Sequence, residues 1–244
     1  MARSRVVKPM LPAEIGEQEG LAYSLWLPPD ARASGAGVVI IHGAGSSKEN
    51  HHDFARAAVA LGLGAIAFDL PGHGASRGPM DDRVLDDVGA IATRLRMAIG
   101  DQQAPLALRG SSLGGYLAIV AAAPVRAAAI VAICPASSAG LRAGVSSGRL
   151  SFGVDRESLI GFLSAHELEP IVAGLDSPLL LLHAEGDEQV PVEHSRELAH
   201  RMSSTGSRLI VIPGGHHRSI QHDEELQAVS LRFIVRSLEA VGPD

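Results

Sequence analysis

The run Gly110-Ser111-Ser112-Leu113-Gly114 carries the strongest chemical signal in the chain. The central serine of a G-x-S-x-G run becomes a nucleophile in one setting, a sharp turn from a strand into a helix. There the hydroxyl is held exposed, small neighbours relieve a crowded backbone, and the helix N-terminus favours negative charge developing beside it. That setting is present: Ala104-Pro105-Leu106-Ala107-Leu108 reads as a short strand, and Gly115 to Ala123 as an apolar helix. A hydroxyl is a poor nucleophile without a base, and the base needs a third group to orient it. In a parallel sheet, residues just past the C-terminal strand ends share one edge of the molecule. Two stretches qualify. His183-Ala184-Glu185-Gly186-Asp187-Glu188 follows the run Leu179 to Leu182, and Pro213-Gly214-Gly215-His216-His217 follows Leu209 to Ile212. The order Ser112, Asp187, His217 is nucleophile, acid, base. Glu185 and Glu188 compete with Asp187 for the acid, and His216 competes with His217 for the base. Ahead of them, His42-Gly43-Ala44-Gly45 follows Val38 to Ile41. A Gly-rich loop there can aim a backbone N–H at a developing oxyanion, and Leu113, the residue after the serine, would supply a second.

These residues need a sheet to position them. The apolar runs at 38–41, 65–68, 106–108, 128–133, 179–182 and 209–212 are continuous, as strands buried on both faces are. Helical patterns fall between them, at 54–61, 83–99, 113–123, 192–202 and 224–238. This alternation predicts a mostly parallel, doubly wound α/β sheet with helices on both faces. Leu21 to Leu27 alternates and is expected to be an antiparallel edge strand. One stretch breaks the rhythm. Between Ile133 and Leu179 lie over forty residues, Gly- and Ser-rich at first and helical at 157–168. Such a length suggests a small cap over the strand ends, residues 136–177, within a single domain 1–244. Leu150, Phe152, Leu159, Phe162 and Leu163 give it apolar side chains that could contact an acyl chain, and Leu159 and Phe162 are its candidate substrate contacts.

Composition narrows the function. A net charge of −6 with no long single-sign run argues against nucleic acid and offers no basic membrane patch. Cys134 is the only cysteine, so no intrachain disulfide forms, and its apolar strand context suits a small buried hydrophobe. Met1 to Gly16 has no apolar core of signal-peptide length, and Leu117 to Ala136 is broken by Pro124 and Arg126, so no membrane span is expected. A soluble cytoplasmic protein is the default expectation. His51-His52 and His216-His217 lack H-E-x-x-H spacing or a Cys cluster, so neither a metal nor another cofactor is expected. Arg109 is either a pocket residue or a strand-end charge.

In type, order and strand position these motifs resemble the α/β-hydrolase-fold serine hydrolases. The matching stretches are His42-Gly43-Ala44-Gly45, Asp69-Leu70-Pro71-Gly72-His73-Gly74-Ala75-Ser76, Gly110 to Gly115, Gly186-Asp187-Glu188-Gln189-Val190-Pro191 and Gly214-Gly215-His216-His217. The similarity is strongest to small short-cap esterases, acylglycerol-lipase-like or, through Ser46 to Phe54, cinnamoyl- or feruloyl-esterase-like. The resemblance implies Ser112 as nucleophile, Asp187 as orienter and Ala44 with Leu113 as oxyanion donors. Family spacing from Gly214 selects His217 as base, and it assigns the loop of Asp69 and His73 a structural role. The implied activity is hydrolysis of small-molecule carboxylic esters of short to medium acyl chain through an acyl-enzyme. Thioesterase, amidase, peptidase and acyltransferase chemistry use the same groups, and a non-catalytic ligand-binding protein on this fold is the alternative of a different class. Physiological substrate and oligomeric state stay open.

Overall fold

The apolar runs pair into one eight-stranded sheet in the computed structural model, which describes residues 9–240. The first half of the Met1–Gly16 stretch and the last four residues of the expected domain lie outside the described residues. The strands are β1 Glu14–Gln18, β2 Leu21–Trp26, β3 Gly37–Ile41, β4 Gly64–Phe68, β5 Leu106–Ser111, β6 Ala129–Ile133, β7 Leu179–Ala184 and β8 Arg208–Ile212. Their order is β1-β2-β4-β3-β5-β6-β7-β8. From β4 to β8 every pairing is parallel, while β1 and β2 are antiparallel. Leu21 to Leu27 therefore supplies an antiparallel strand one place in from the edge. The edge is β1, whose short polar sequence EIGEQ gives no apolar signal.

The helices are α1 His52–Ala60, α2 Val84–Ile99, α3 Leu113–Val120, α4 Ala122–Val125, α5 Ser138–Ser147, α6 Arg156–Ala165, α7 Leu168–Ala173, α8 Val192–Ala199 and α9 Glu224–Glu239. Successive strand side chains point to opposite faces, so β3 feeds two cores. Val39 and Ile41 join Val88 and Ile91 of α2 and Tyr116 and Ile119 of α3. Val38 and Ile40 join Phe54 and Ala58 of α1 and Leu231 and Ile234 of α9. β3 to β7 are buried throughout, which is why their sequences run apolar without alternation.

The chain order reverses beside β3. From β3 it steps to β4 on one side, then returns to β5 on the other and proceeds outward to β8. Ligand crevices in open α/β sheets form at such a switch, outside the C-terminal strand ends. Residues 136–177 leave β6 at that end and form α5, α6 and α7 before β7 begins. Ser137 caps α5 by accepting the Gly140 N–H, and Asp155 caps α6 by accepting the Ser158 N–H. α5 was hidden in the sequence by its Gly and Ser content. Among the described residues no helix is long and apolar enough to cross a membrane.

Candidate active site

Ser112 sits between the end of β5 and the first turn of α3, with φ 54° and ψ −117°. A non-glycine residue holds such a conformation at a cost of about 1–3 kcal/mol, and only when its surroundings fix it. Here they do. The Ser112 N–H donates to Ile133 O at 2.9 Å, and its carbonyl accepts the N–H groups of Tyr116 at 3.0 Å and Ala136 at 3.1 Å. The flanking glycines make the turn sterically feasible. A Cβ on Gly110 would lie 1.9 Å from Gly114 O, and one on Gly114 would lie 2.1 Å from Ile41 O.

The acid and the histidine arrive on the neighbouring strand ends. Asp187 follows β7, and its Oδ2 accepts from His217 Nδ1 at 2.7 Å. Its Oδ1 accepts the backbone N–H groups of Gln189 and Val190, each at 2.8 Å. Burial alone would raise the Asp187 carboxyl. Hydrogen bonds from His183, His217 and the two backbone N–H groups outweigh it and hold the group well below the usual carboxylate range. Glu188 reaches only the backbone N–H of His217, at 3.2 Å, and Glu185 faces Arg196 at 3.5 Å. Of the three carboxylates, Asp187 alone touches the imidazole. His216 is exposed. His183, fully buried, sits beneath the acid loop, with Nε2 2.9 Å from Val190 O and Nδ1 2.7 Å from Ser195 Oγ.

His217 and Ser112 face one cavity of about 320 Å³. Gly43, Ala44, Leu141, Leu150, Gln221 and His222 share its wall. No hydrogen bond joins Ser112 Oγ to His217 among the described residues; the serine and the imidazole meet across the cavity. Larger surface depressions, about 530 and 660 Å³, lie at the other end of the sheet around Ala128, Leu175 and Pro178. They hold no serine–histidine pair.

The loop after β3 packs against the elbow, such that a Cβ on Gly43 would come within 3.3 Å of Ser112 Cβ. Neither Ala44 N–H nor Leu113 N–H has a backbone acceptor among the described residues, so both are free to donate to a ligand. The loop is braced by the Asp69–Ser76 stretch. His42 Nε2 accepts the Leu70 N–H at 3.0 Å, His73 Nε2 accepts the Gly45 N–H at 3.1 Å, and Asp69 binds both the backbone N–H and the ammonium of Lys48. Burial pushes His42 down to about 4 and His73 below the ordinary histidine range, so both rings are neutral near pH 7.

Arg109 proves to be neither a strand-end charge nor a cavity-wall residue. Its guanidinium is buried 4.0 Å over the Phe54 ring and donates to Gln221 O at 2.9 Å. Burial lowers it to about 10, and it stays a cation. Ser111 Oγ donates to Gln221 Oε1 at 2.9 Å. Together they fasten the histidine loop to the strand that bears Ser112. The histidine pair at 51–52 splits: His51 lies beside Arg109, and His52 edges against Trp26 at 4.5 Å.

Leu159 and Phe162 lie away from the cavity. They are 2% and 6% exposed and pack α6 into the core, Phe162 edge-on to Tyr116. On that face α6 packs against α5, and Phe162 reaches Tyr116 of α3. The apolar wall comes instead from Leu141 and Leu150, and the polar wall includes Gln221 and His222. Leu150 is one of the apolar side chains singled out from the sequence; Leu141, Gln221 and His222 lie on a Gly/Ser-rich stretch and a polar loop, where periodicity gives no signal. Metal-ligating atoms converge twice among the described residues: Cys134, His183 and Asp187 beneath the acid loop, and Glu169, His194 and Glu197 on α7 and α8. His183 and Asp187 of the first group are already engaged in the hydrogen bonds above; the second group lies off the cavity.

Comparison with known proteins agrees with this architecture. A hydrolase family model described as Serine aminopeptidase, S33, matches residues 32–152, and an α/β-hydrolase model described as TAP-like protein matches residues 164–236. The monoacylglycerol lipase of Mycolicibacterium smegmatis is 28% identical over 254 residues, covering 84% of this chain and 88% of its own length. Est1E from Butyrivibrio proteoclasticus superposes with a TM-score of 0.71 at 20% identity, over 94% of this chain and 99% of its own. The Paleococcus ferrophilus monoacylglycerol lipase gives 0.67 at 22% identity, over 90% and 98%. Sheet order, elbow, strand-end loops and matched family models converge on one conclusion: the chain belongs to the α/β-hydrolase-fold family.

Proposed function

We propose that this protein is a serine esterase that cleaves carboxylic esters of short to medium acyl chain through an acyl-enzyme. One observation carries the reading: Asp187 holds His217 at 2.7 Å, on the wall of the same cavity that receives the strained Ser112. With Nδ1–H committed to Asp187, Nε2 keeps its lone pair for the serine proton. Ser112 Oγ attacks the carbonyl carbon and its proton passes to His217. The carbonyl electron pair becomes an oxyanion, stabilised by the N–H groups of Ala44 and Leu113. Collapse breaks the C–O bond, and the departing alcohol takes the proton from His217. Water then adds to the acyl carbon, again losing its proton to His217, and the second collapse releases the acid and restores Ser112.

The acyl preference follows from the cavity. Its volume is at the low end of ligand sites, roughly 300–1,000 Å³. Leu141 and Leu150 supply the apolar contact, and we assign residues 136–177 the role of a cap. Relatives named as monoacylglycerol lipases support an ester substrate. The test is labelling with a fluorophosphonate, read by peptide mass spectrometry, alongside hydrolysis of p-nitrophenyl esters of increasing length. Adduct on Ser112, with labelling and turnover both lost in Ser112→Ala, is the expected result. Near-normal turnover in Ser112→Ala, or an unlabelled Ser112 in a folded protein that binds the ester without cleaving it, overturns the reading.

A further inference from the structure

The proposed chemistry uses the Ala44 N–H but says nothing of what aims it. Ala44 lies between two glycines, and such a stretch has wide backbone freedom unless its peptide groups are tied. Both flanking peptides are tied by buried histidines. His42 Nδ1 lies 2.7 Å from Gly43 O, and His73 Nε2 accepts the Gly45 N–H at 3.1 Å. The His73 tautomer is set from its other side, where Nδ1 donates to Pro71 O at 3.0 Å. That leaves the Nε2 lone pair as the acceptor for Gly45. The ring cannot swing away, for it is 5% exposed and wedged between two others. His42 stands edge-on at 4.9 Å, and Phe152 stacks at 4.2 Å. Phe152 belongs to the cap segment. Its neighbours are bonded to the same loop as His73, Gly153 N–H to Gly72 O at 3.3 Å and Met80 N–H to Gly153 O at 2.9 Å.

We infer that His73 is a positioning residue for the reaction: it fixes the Ala44–Gly45 peptide and so holds Ala44 from its C-terminal side, steadying the adjoining Gly43–Ala44 peptide whose N–H meets the oxyanion, while Phe152 couples the cap to that alignment. The inference rests on the oxyanion assignment made above. The Gly45 N–H has one acceptor among the described residues, the His73 ring. Without it the Ala44–Gly45 peptide is free to turn, the Gly43–Ala44 peptide is held from one side only, through Gly43 O by His42 and the Ser46 N–H at 3.2 Å, and a donor that must meet the oxyanion at about 3 Å loses part of its aim. The ground-state ester depends on that donor far less than the tetrahedral oxyanion does, so the loss falls on kcat.

The experiment uses the full chain and two substitutions at one position. His73→Leu keeps apolar bulk beneath Phe152 but offers no acceptor, whereas His73→Gln can present a carboxamide oxygen to the Gly45 N–H. Each is measured for kcat and KM on p-nitrophenyl butyrate, for thermal midpoint, and for inhibition by an alkyl trifluoromethyl ketone. That ketone adds Ser112 Oγ at its carbonyl carbon and leaves an alkoxide in the oxyanion position, the serine proton going to His217. His73→Leu is expected to lower kcat by about 10², the low end of the loss known for removing one oxyanion donor outright. KM should stay within about threefold, and ketone affinity should fall in step with kcat/KM. His73→Gln should recover at least about tenfold of the lost kcat by restoring that donor's acceptor. The inference is overturned if a folded His73→Leu keeps its kcat, if kcat falls while ketone affinity does not, or if Gln and Leu are equally impaired. Should His73→Leu not fold, Phe152→Ala decides, because it frees the ring and leaves the acceptor. Parallel loss of kcat and ketone affinity then supports the inference, and unchanged values refute it. Ser112→Ala in the same series separates the outcomes. If that variant stays active, the esterase reading itself fails, whatever His73 does.

Discussion

Replacing Asp187 by Asn tests the site most sharply, because the structure dictates which way the carboxamide must turn. Oδ1 of Asp187 accepts two backbone N–H groups at 2.8 Å, from Gln189 and Val190. Asn has one oxygen. If that oxygen keeps the backbone donors, the NH2 group faces His217 Nδ1 where Oδ2 stood. The opposite rotamer sets an NH2 against two N–H donors and leaves both unsatisfied, at about 1–3 kcal/mol each. The first orientation therefore wins. Its NH2 donates to Nδ1, so the imidazole proton moves to Nε2 and His217 can no longer accept from Ser112. The charge adds to the loss. A carboxylate about 4 Å from an imidazolium is worth about 4 kcal/mol at an effective dielectric of 20. That sets a floor near 10³. The wrong tautomer brings the expected fall in kcat to about 10⁴, as the same change does in another Ser-His-Asp triad, or about 5.4 kcal/mol of barrier. The assay is steady-state turnover of p-nitrophenyl butyrate at pH 8, with circular dichroism melts to establish folding. Glu185→Gln and Glu188→Gln serve as controls and should stay within about threefold, since neither carboxylate reaches the imidazole ring and exposed groups contribute little. A folded Asp187→Asn within tenfold of wild type, or equal losses across the three carboxylates, refutes the reasoning.

Other expectations follow from the same structure. Leu150→Ala should shift the optimal acyl chain length, because Leu150 lines the cavity, whereas Phe162→Ala should leave that optimum unchanged and cost about 3–5 kcal/mol of stability as a core truncation; a chain-length series and a urea titration read both. The acid limb of kcat/KM should have unit slope between pH 4 and 7, because Asp187 stays ionised across that range; a slope of two would place a second proton on the triad. The stabilisation from its lowered pKa is present above the unfolded value near 4 and is lost as pH falls through the folded one. Asp87 behaves oppositely. Burial, aided by Asp81, raises it to about 6, so the folded state binds the extra proton and stability falls as pH rises from about 4 to 6. Asp87→Asn should accordingly raise the melting temperature at pH 8 and leave it unchanged at pH 4; a lower value at pH 8 would contradict the assignment.

The sheet was legible because its inner strands are buried on both faces. Val38 to Ile41 and Leu179 to Leu182 can be nothing but apolar, and a loop that follows such a run must open on the shared edge. This is why the loops bearing Ser112, Asp187 and the His216-His217 pair share one edge. The choice of His217 over His216 rests on family spacing; in the structure His217 is the histidine bonded to Asp187. β1 escaped because EIGEQ pairs through its backbone and buries little. Part of the cavity wall escaped for a related reason. Between residues 136 and 177, apolar side chains can pack the core or border the cavity, and both uses select Leu and Phe. Leu159 and Phe162 pack the core, Leu150 borders the cavity and Leu141 does both, and only the path of the chain between helices separates them. Arg109 was opaque in another way. An arginine before a strand end looks solvated until a distant loop, here Gln221, closes over it.

The order of the strands bears on how the protein is made. From β5 onward each strand adds beside its predecessor, so a chain leaving the ribosome can extend the sheet in the sequence it is synthesised. The face behind β5 and β6 is an exception. Ala107 and Val131 wait for Leu231 and Ile234 of α9, the last helix, to cover them. Until then the middle of the sheet is bare, a greasy surface at the time when the nascent chain is most crowded. The elbow and the oxyanion loop exist by residue 115, but the acid and the histidine are still unsynthesised. The growing polypeptide is thus a sticky precursor whose proposed site and whose sheet cover are completed at nearly the same moment. A chain stopped after residue 222 should already contain Ser112, Asp187 and His217 and yet aggregate, because what it lacks is its cover.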